Sequence, residues 1–364
     1  MGNLLLVGGE VITPLEERFT DLLIENDVVA AINGGGDEKP EKAETLDVSG
    51  CYVTPGLIDL QVNGNEPCNF WGDPEPAQVE ALCRRMLQSG VTAFLPTLIT
   101  DDLQHMNKNI SFLQSLGVGK EGALTFGVRM PGLHLEGPCI SPKRPGVHPP
   151  QHLKPLNIEV LKQIVTPIVL LVTVAPELDG KGEALAWLKE KGVTVSLGHS
   201  NATCDEANAA FERGIRMMTH TFNALPPLHH RDPGAVAAAL LDDRVSCCII
   251  CDGLHLDPTA VRLILKSKTA QRTILVTDIA QVGTSHGGLV GSSLYLDEAV
   301  RNVVQWQAAT FPEAIRMSTW NAACAVGLAE KFGKIAVGRQ ADLVVWDKAS
   351  LAIKHVIVAG KRIS

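Results

Sequence analysis

Four residues that could do chemistry lie at or just after the ends of short apolar runs typical of β-strands: Glu136, His199, His220 and Asp278. Two imidazoles and one carboxylate form the ligand set of a catalytic zinc site that keeps one position open for water. A further carboxylate beside such a site can take a proton from metal-activated water and return it to a leaving amine. A lone histidine at a strand end is more often structural, but four such residues together favour a hydrolytic metal centre.

These four residues belong to a central region in which predicted strands alternate with predicted helices. The short β-branched runs indicate strands at Leu57–Gln61, Thr92–Pro96, Gly132–Leu135, Val169–Val174, Thr194–Leu197, Met217–His220, Ser246–Cys251 and Thr273–Thr277. Eight such alternations are typical of a (β/α)8 barrel, in which residues at the carboxyl ends of the strands form the active site. On that fold Glu136, His199 and His220 converge as metal ligands. Asp278 faces them from the eighth strand as the general base and acid.

Both ends of the chain read instead as short β segments separated by turns. The segments are Asn3–Val7, Glu10–Ile12, Thr20–Ile24 and Val28–Ile32 at the start, and Gly333–Ile335, Asp342–Trp346, Ala352–Val358 and Lys361–Ile363 at the end. Chain termini often lie close together in space. We therefore predict a TIM-like α/β barrel over residues 53–333 and a small β-sandwich domain built jointly from residues 1–52 and 334–364.

The composition limits the classes of partner. The 364 residues include 32 basic and 40 acidic side chains, for a net charge of −8, whereas nucleic-acid-binding chains usually carry a basic surplus. The longest apolar runs have strand length and fall far short of a membrane span. No basic segment of a signal peptide is recognised, and the nine cysteines are an odd number at low density. We expect a reduced, cytoplasmic protein that binds neither nucleic acid nor membrane, with Cys248 and Cys251 as buried strand cysteines.

A resemblance to a known family runs through nearly the whole chain. The segments that carry it, in order, are Pro55–Gly64, Gly132–Pro138, Ala175–Glu177, Ser196–Ser200, His220–Ala224, Arg231–Gly234, Asp252–His255 and Gly338–Val345. Together they resemble the N-acetylglucosamine-6-phosphate deacetylases of the amidohydrolase superfamily. The resemblance implies the same barrel, metal ligands and catalytic aspartate as the residue pattern does.

The expected number of metal ions depends on one position at which this chain differs from many members of that superfamily. Many of its members begin the barrel with a His-x-His pair that holds a second metal, but this chain has Gln61-Val62-Asn63 there. Amides are poorer zinc ligands than imidazoles. The resemblance to single-metal members therefore implies one divalent metal per subunit, expected to be Zn²⁺. His134, two residues before Glu136, could face the same side and support the metal site from behind.

The resemblance also implies the reaction and the substrate contacts. The reaction is hydrolysis of the acetamide of N-acetyl-D-glucosamine 6-phosphate by metal-activated water, which yields D-glucosamine 6-phosphate and acetate. The backbone amides of Asn223 and Ala224 would meet the phosphate, and Arg231 would reach the site of the neighbouring subunit in a homodimer. The residues that we expect to bind the substrate are Gln61, Asn63, His148, Asn223, Ala224, Arg231 and His255.

Two alternative functions stay open on the sequence alone. One is an amidohydrolase for a different amide, such as a cyclic amide. Those sites commonly use a modified lysine on the fourth strand, and Val169–Val174 contains no lysine. The other is a catalytically silent binder on the same fold. The absence of His-x-His favours this alternative, whereas the presence of Glu136, His199, His220 and Asp278 argues against it. The segment after Asp278 is also short, whereas the family has a longer excursion there, largely a β-hairpin.

Overall fold

Eight parallel strands form one sheet in chain order. The computed structural model describes residues 3–13, 17–32, 43–280, 284–285 and 288–363. The strands of this sheet are β1 (Leu57–Val62), β2 (Val91–Ile99), β3 (Leu133–Glu136), β4 (Val169–Val174), β5 (Thr194–Leu197), β6 (Met217–Met218), β7 (Ser246–Ile249) and β8 (Thr273–Leu275). The Asn63 N–H donates to the Ile279 carbonyl at 2.9 Å just beyond β8. This bond joins the last strand to the first, and the predicted (β/α)8 barrel is confirmed.

Helices cover the outside of the barrel in the described part of the chain. They are Pro76–Gln88, Leu103–Ser115, Ile158–Ile164, Glu183–Glu190, Cys204–Glu212, Gly234–Leu241, Pro258–Lys268, Leu296–Gln305, Phe311–Ser318 and Trp320–Ala325. The helix Cys204–Glu212 shows how the local sequence determines where a helix begins and which face is buried. Thr203 and Glu206 form a reciprocal cap at its start, and Phe211 packs inward from its apolar face. None of the described helices has the length and apolar character that crossing a membrane requires.

Hydroxyl side chains fill the barrel just below the carboxyl ends of its strands. The Thr219 hydroxyl lies 2.7 Å from the Thr173 hydroxyl and 2.6 Å from the Ser196 hydroxyl. His134 Nε2 lies 2.8 Å from the same Thr173 oxygen. All four side chains are buried, so these bonds satisfy groups that would be costly to leave unpaired. They also tie together the strands that present the site.

The two chain ends form two further sheets that share a second core. One sheet has the order Val28–Ile32, Leu22–Glu25, Asn3–Val7, Ala43–Asp47, and the other has the order Lys361–Arg362, Ile353–Val358, Leu343–Asp347, Cys51–Pro55, Glu10–Ile12, Glu17–Phe19. Their common core includes Leu6, Ile24, Val53 and Val345. The division into residues 1–52 with 334–364 and residues 53–333 stays a prediction, and Cys51–Pro55 spans its first boundary.

The predicted strand at Gly333–Ile335 is wrong. These residues are irregular, and Gly333 has a left-handed φ of 85°, which differs from the extended backbone of a regular strand. Ile335 is nevertheless buried in the second core. An apolar residue beside a turn therefore fills the core there without pairing to a sheet.

Candidate active site

Four side chains meet at the carboxyl end of the barrel. Glu136 is the last residue of β3, and His199 and His220 each lie two residues beyond β5 and β6. Asp278 lies three residues beyond β8. Their exposed fractions are between 3% and 9%. The structure thus brings together the residues predicted as metal ligands and as the general base and acid.

Three of these residues have an unusual backbone. The φ angles of His199, His220 and Asp278 are 47°, 26° and 50°. Left-handed conformations cost a non-glycine residue about 1–2 kcal/mol and concentrate at functional sites. The backbone therefore departs from the regular strand at the points where the polar side chains turn into the barrel mouth.

Three of the side chains converge on one point. Glu136 Oε1 lies 3.0 Å from His220 Nε2 and 3.3 Å from His199 Nε2, and the two Nε2 atoms are 3.0 Å apart. They are the one group of three histidine, cysteine or carboxylate side chains in the described residues with ligand atoms close enough for a metal. Two imidazole nitrogens and a carboxylate oxygen are a normal donor set for a divalent metal.

The hydrogen bonds of His199 indicate which of its nitrogens carries the proton. Its Nδ1 lies 3.1 Å from the Arg144 carbonyl oxygen, and a carbonyl can only accept. Nδ1 therefore donates, and Nε2 presents a lone pair toward Glu136 and His220. The buried Nδ1 of His220 has no hydrogen-bond partner among the described residues. The orientation of His199 is consequently the better defined of the two.

The two carboxylates of the site differ in acidity. Burial opposes ionisation of Glu136, but the close contacts of its carboxylate with the His199 and His220 rings outweigh burial and hold its pKa well below the ordinary value. Burial, followed by the negative charge of Glu136, raises the pKa of Asp278 to about 7. One carboxylate is therefore charged as a ligand must be, whereas the other can gain and lose a proton near neutral pH.

Two amide side chains connect these carboxylates. Gln61 Nε2 donates to Glu136 Oε1 at 3.0 Å and to Asp278 Oδ1 at 2.9 Å. Asn63 Nδ2 donates to the same Asp278 oxygen at 2.6 Å. Trp71, which the sequence does not single out, donates from its indole to Asn63 Oδ1 at 3.3 Å. The amides at the His-x-His position therefore orient Asp278 in this structure.

A cavity of about 250 Å³ opens over the four residues. Its lining includes both predicted ligands and predicted substrate contacts: Asn63, Trp71, Ile99, Glu136, Gly146, Val147, His148, His199, His220, Asn223, Ala224, His255, Asp278 and Gly291. Gln61 lies beneath this lining, where it contacts Glu136 and Asp278.

His148 is held by Thr100, another residue that sequence reasoning missed. The Thr100 N–H donates to His148 Nδ1 at 3.3 Å, and the Thr100 hydroxyl is 2.8 Å from the same nitrogen. Nδ1 therefore accepts, which leaves the proton on Nε2. Burial, followed by the charge of His199, lowers the pKa of His148 to about 3. His148 thus offers one neutral N–H donor to the cavity.

The loop after β6 has the geometry of an anion-binding turn. Phe222 and Ala224 have φ angles of 79° and 51° and flank Asn223. Alternating signs of φ turn successive N–H groups toward one side. The Asn223 N–H already donates to the His220 carbonyl at 2.9 Å, whereas the Ala224 N–H has no acceptor among the described residues. Of the two predicted backbone contacts, Ala224 is therefore the one that is available.

His255 and Arg231 lie at different distances from this cavity. His255 lines it, and its Nδ1 is held 2.7 Å from the Asp252 carboxylate. Arg231 is exposed in the turn between His229 and Asp232 and does not line the cavity of its own chain. The structure therefore does not bring Arg231 to the other site residues within one subunit.

His134 does not contact the metal ligands. Its Nδ1 lies 3.1 Å from the Leu60 carbonyl oxygen, and its Nε2 lies 2.8 Å from the Thr173 hydroxyl. Burial lowers the pKa of His134 to about 4, so it is a neutral residue of the barrel interior. Cys248 and Cys251 are buried free thiols, as expected, but only Cys248 lies in a strand, because β7 ends at Ile249.

The short segment after Asp278 leads to Ser292, which forms backbone hydrogen bonds with Asp278 and Ala280. The Ser292 N–H donates to the Asp278 carbonyl at 2.9 Å, and the Ala280 N–H donates to the Ser292 carbonyl at 3.0 Å. Between them, Thr284–Ser285 pairs with Gly288–Leu289 as a small antiparallel hairpin. At Gln281 the resemblance leads us to expect a small residue, and Gln281 lies outside the described residues. The segment thus keeps a hairpin beside the site.

The chain is similar to known proteins over almost its whole length. The amidohydrolase family model matches residues 52–363. The chain belongs to the amidohydrolase family. It is 33% identical to the N-acetylglucosamine-6-phosphate deacetylase of Homo sapiens, with 91% of this chain and 90% of the relative covered. It is 31% identical to the N-acetylgalactosamine-6-phosphate deacetylase of Escherichia coli O157:H7, with 95% and 96% covered.

A solved structure agrees with these relatives over the full length. The crystal structure of N-acetylglucosamine-6-phosphate deacetylase from Pasteurella multocida superimposes with a TM-score of 0.89 at 29% identity, covering 100% of both chains. The resemblance predicted from the motifs is confirmed, and so is the amidohydrolase barrel. The same matches show that the chain is a hydrolase.

Proposed function

We propose that this amidohydrolase removes the acetyl group of N-acetyl-D-glucosamine 6-phosphate, which yields D-glucosamine 6-phosphate and acetate. The observation that carries the proposal is the cluster of Glu136, His199 and His220 facing the buried carboxyl of Asp278 in one cavity. It occurs in a chain that is similar over nearly its whole length to deacetylases of amino-sugar phosphates.

The donor set fits one divalent metal, which we propose to be Zn²⁺. The fit rests on the lone pair of His199 Nε2 and on the charged Glu136 carboxylate, which converge with His220. When bound, the metal would polarise the acetamide carbonyl and lower the pKa of a water to about 7. Gln61 turns its amide N–H groups, not its oxygen, toward the two carboxylates. That orientation supports one metal rather than two.

Asp278 is placed to carry the proton. Its Oδ1 accepts the amide groups of Gln61 and Asn63, while its Oδ2 accepts no hydrogen bond from the described residues. Oδ2 is thus available to take a proton from the attacking water and to return it to the glucosamine nitrogen as the C–N bond breaks. A pKa raised to about 7 suits both steps.

The substrate contacts divide into an acyl end and a phosphate end. His148 offers its Nε2–H beside the metal ligands, where a developing oxyanion needs a donor. Asn223, Ala224 and His255 also line the cavity, and the free N–H of Ala224 with the side chains of Asn223 and His255 suits a phosphate. We further propose a homodimer in which Arg231 completes the phosphate site of the neighbouring subunit, because Arg231 is exposed and pairs with no carboxylate among the described residues of its own chain.

A second substrate is favoured by a specific match. The relative from Escherichia coli O157:H7 is an N-acetylgalactosamine-6-phosphate deacetylase and is covered almost completely. The two sugars differ only in the orientation of one hydroxyl. N-acetyl-D-galactosamine 6-phosphate is therefore the alternative substrate for the same chemistry. The cytoplasmic location stays a proposal as well, and it is supported by nine cysteines that are all free.

The test combines metal counting with acetate release on one purified sample. We expect about one zinc per chain and release of acetate from N-acetyl-D-glucosamine 6-phosphate but not from unphosphorylated N-acetyl-D-glucosamine. N-acetyl-D-galactosamine 6-phosphate in parallel decides between the two substrates. Chelation should abolish release, and added Zn²⁺ should restore it. One metal per chain without release from either phosphorylated sugar would refute the proposed reaction and favour another amide or a silent binder.

A further inference from the structure

Glu177 is a carboxylate near the site that the chemistry above does not use. It lies in the 3₁₀ turn Pro176–Leu178, which begins two residues after the end of β4. Its Oε2 accepts the Ser200 hydroxyl at 2.7 Å, and its Oε1 accepts the Asn201 N–H at 2.6 Å. Within the described residues no cation pairs with it. Both of its oxygens therefore hold the two residues that follow His199.

A second link leads from this carboxylate to the imidazole of His199. The Asn201 side-chain oxygen accepts the Arg144 Nε–H at 3.1 Å. The Arg144 carbonyl accepts the His199 Nδ1–H at 3.1 Å. The hydrogen bonds thus run from Glu177 through Asn201 and Arg144 to the ring whose other nitrogen faces the metal site. The group that contacts the ring itself is the neutral backbone carbonyl of Arg144, which orients the ring without placing a charge directly beside it.

The need for such a support is visible in the backbone of His199. Its φ of 47° is left-handed, and the chain must be held there against a more favourable right-handed conformation. The bonds of Glu177 to Ser200 and Asn201 act on the next two residues, so they oppose relaxation of that turn. The Arg144 carbonyl then selects the tautomer that keeps the Nε2 lone pair available.

We propose that Glu177 is a positioning residue for the metal centre: it holds Ser200 and Asn201 and, through Asn201 and Arg144, fixes the ring orientation and tautomer of His199. This inference rests on the proposed metal site. Groups that orient a metal-binding histidine typically change metal affinity by about 10–100-fold when removed. The role is therefore measurable as metal binding, apart from turnover.

Asp179 offers a matched control for a purely structural role. It lies two residues after Glu177 and is also a carboxylate that accepts two hydrogen bonds, from the N–H groups of Ala184 (3.4 Å) and Leu185 (2.9 Å). These bonds start the helix Glu183–Glu190 and do not lead to His199. Loss of Asp179 should therefore lower stability without changing the metal centre.

The experiment measures the Zn²⁺ dissociation constant of the full chain by competition with a chromophoric chelator. We expect Glu177→Ala to raise this constant at least tenfold. Glu177→Gln, which keeps an acceptor for Asn201, should stay within about threefold of the wild type. Asn201→Ala keeps its own N–H bond to Glu177 but breaks the link to Arg144, and it should weaken binding in the same direction. Asp179→Ala should lower the thermal midpoint and leave Zn²⁺ affinity unchanged.

The outcomes separate this inference from the proposed function. Wild-type Zn²⁺ affinity in both Glu177→Ala and Asn201→Ala would overturn the positioning role while leaving the metal site in place. Equal weakening in Asp179→Ala and Glu177→Ala would overturn it as well, because general destabilisation would then explain the effect. A wild-type chain that binds no Zn²⁺ would instead overturn the metal site itself. If Glu177→Ala does not fold, Asn201→Ala decides: weaker Zn²⁺ binding supports the positioning role, and wild-type affinity overturns it.

Discussion

The proton-carrying role of Asp278 can be tested by Asp278→Asn, because the structure shows how the new side chain would sit. Oδ1 accepts the amide groups of Gln61 and Asn63 at 2.9 and 2.6 Å. An asparagine that places its oxygen there keeps both bonds, and its Nδ2 takes the position of Oδ2. The variant thus keeps the shape and the hydrogen bonds of the wild type but cannot accept a proton.

The expected size of the loss follows from the chemistry that is removed. Positioned proton transfer contributes about 10²–10⁴-fold to rates, and Asp278 would serve both in taking and in returning the proton. We expect kcat to fall about 10³-fold, which corresponds to about 4 kcal/mol of barrier. The negative charge of Glu136 contributes to the raised pKa of Asp278. Removing the Asp278 carboxylate therefore relieves repulsion at the ligand, so the variant should keep its metal.

The assay is acetate release from N-acetyl-D-glucosamine 6-phosphate, with zinc counted on the same sample. The matched control is Asp59→Asn, the same change at a buried carboxylate of β1 that does not line the cavity. We expect the control to retain kcat within about tenfold, since general acid–base roles alone carry the larger factors. Turnover of Asp278→Asn within tenfold of the wild type at equal metal content would refute the reasoning. Equal losses in both variants would show that disturbing the strand ends, not losing the proton carrier, is responsible.

Three further predictions concern the ligands, the phosphate site and the interior. His199→Ala should leave only a small fraction of one zinc per chain by elemental analysis, because one of the three converging donors is gone; full metal content would exclude it as a ligand. Arg231→Ala should raise KM for the phosphorylated sugar more than it lowers kcat. Mixing it with Asp278→Asn should restore activity in hybrid dimers if the arginine acts on the neighbouring site, and no restoration would contradict that. Burial raises the pKa of Asp59 from 3.8 to about 6. Because the folded pKa is the higher one, the contribution of Asp59 to stability is greatest below pH 3.8 and falls by about 3 kcal/mol as pH rises through 6. Urea unfolding should show Asp59→Asn gaining on the wild type over this range, and a difference that is independent of pH would contradict the prediction.

The positions of the central residues could be predicted because the barrel imposes a simple rule. A polar residue just beyond a barrel strand must lie at the carboxyl end of the sheet, where strands from the whole chain meet. Glu136, His199 and His220 obey that rule, and their types then suggest a metal. Helix starts are less regular in the sequence: Asp102 accepts from the Gln104 N–H at the start of Leu103–Ser115, whereas Glu183–Glu190 begins without a side-chain cap at Gly182.

The supporting contacts could not be predicted, because they join distant segments. Trp71 looks like an ordinary packing residue in the sequence, yet its indole orients Asn63 and lines the cavity. Thr100 follows the buried strand Val91–Ile99, and only the folded chain shows that it selects the tautomer of His148. No local pattern marks either residue. Their roles follow from which loops meet at the barrel mouth, and that depends on the whole topology.

The left-handed residues show why the conformation of the site is harder to predict than its composition. The carbonyl groups of His199, His220 and Asp278 each accept a backbone N–H, from Ser141 at 2.8 Å, Asn223 at 2.9 Å and Ser292 at 2.9 Å. These bonds offset the cost of about 1–2 kcal/mol that each left-handed residue carries. Since the donors are backbone groups, almost any side chain could stand at the donor positions. The loops therefore hold the geometry of the metal centre without leaving a side-chain motif from which it could be read.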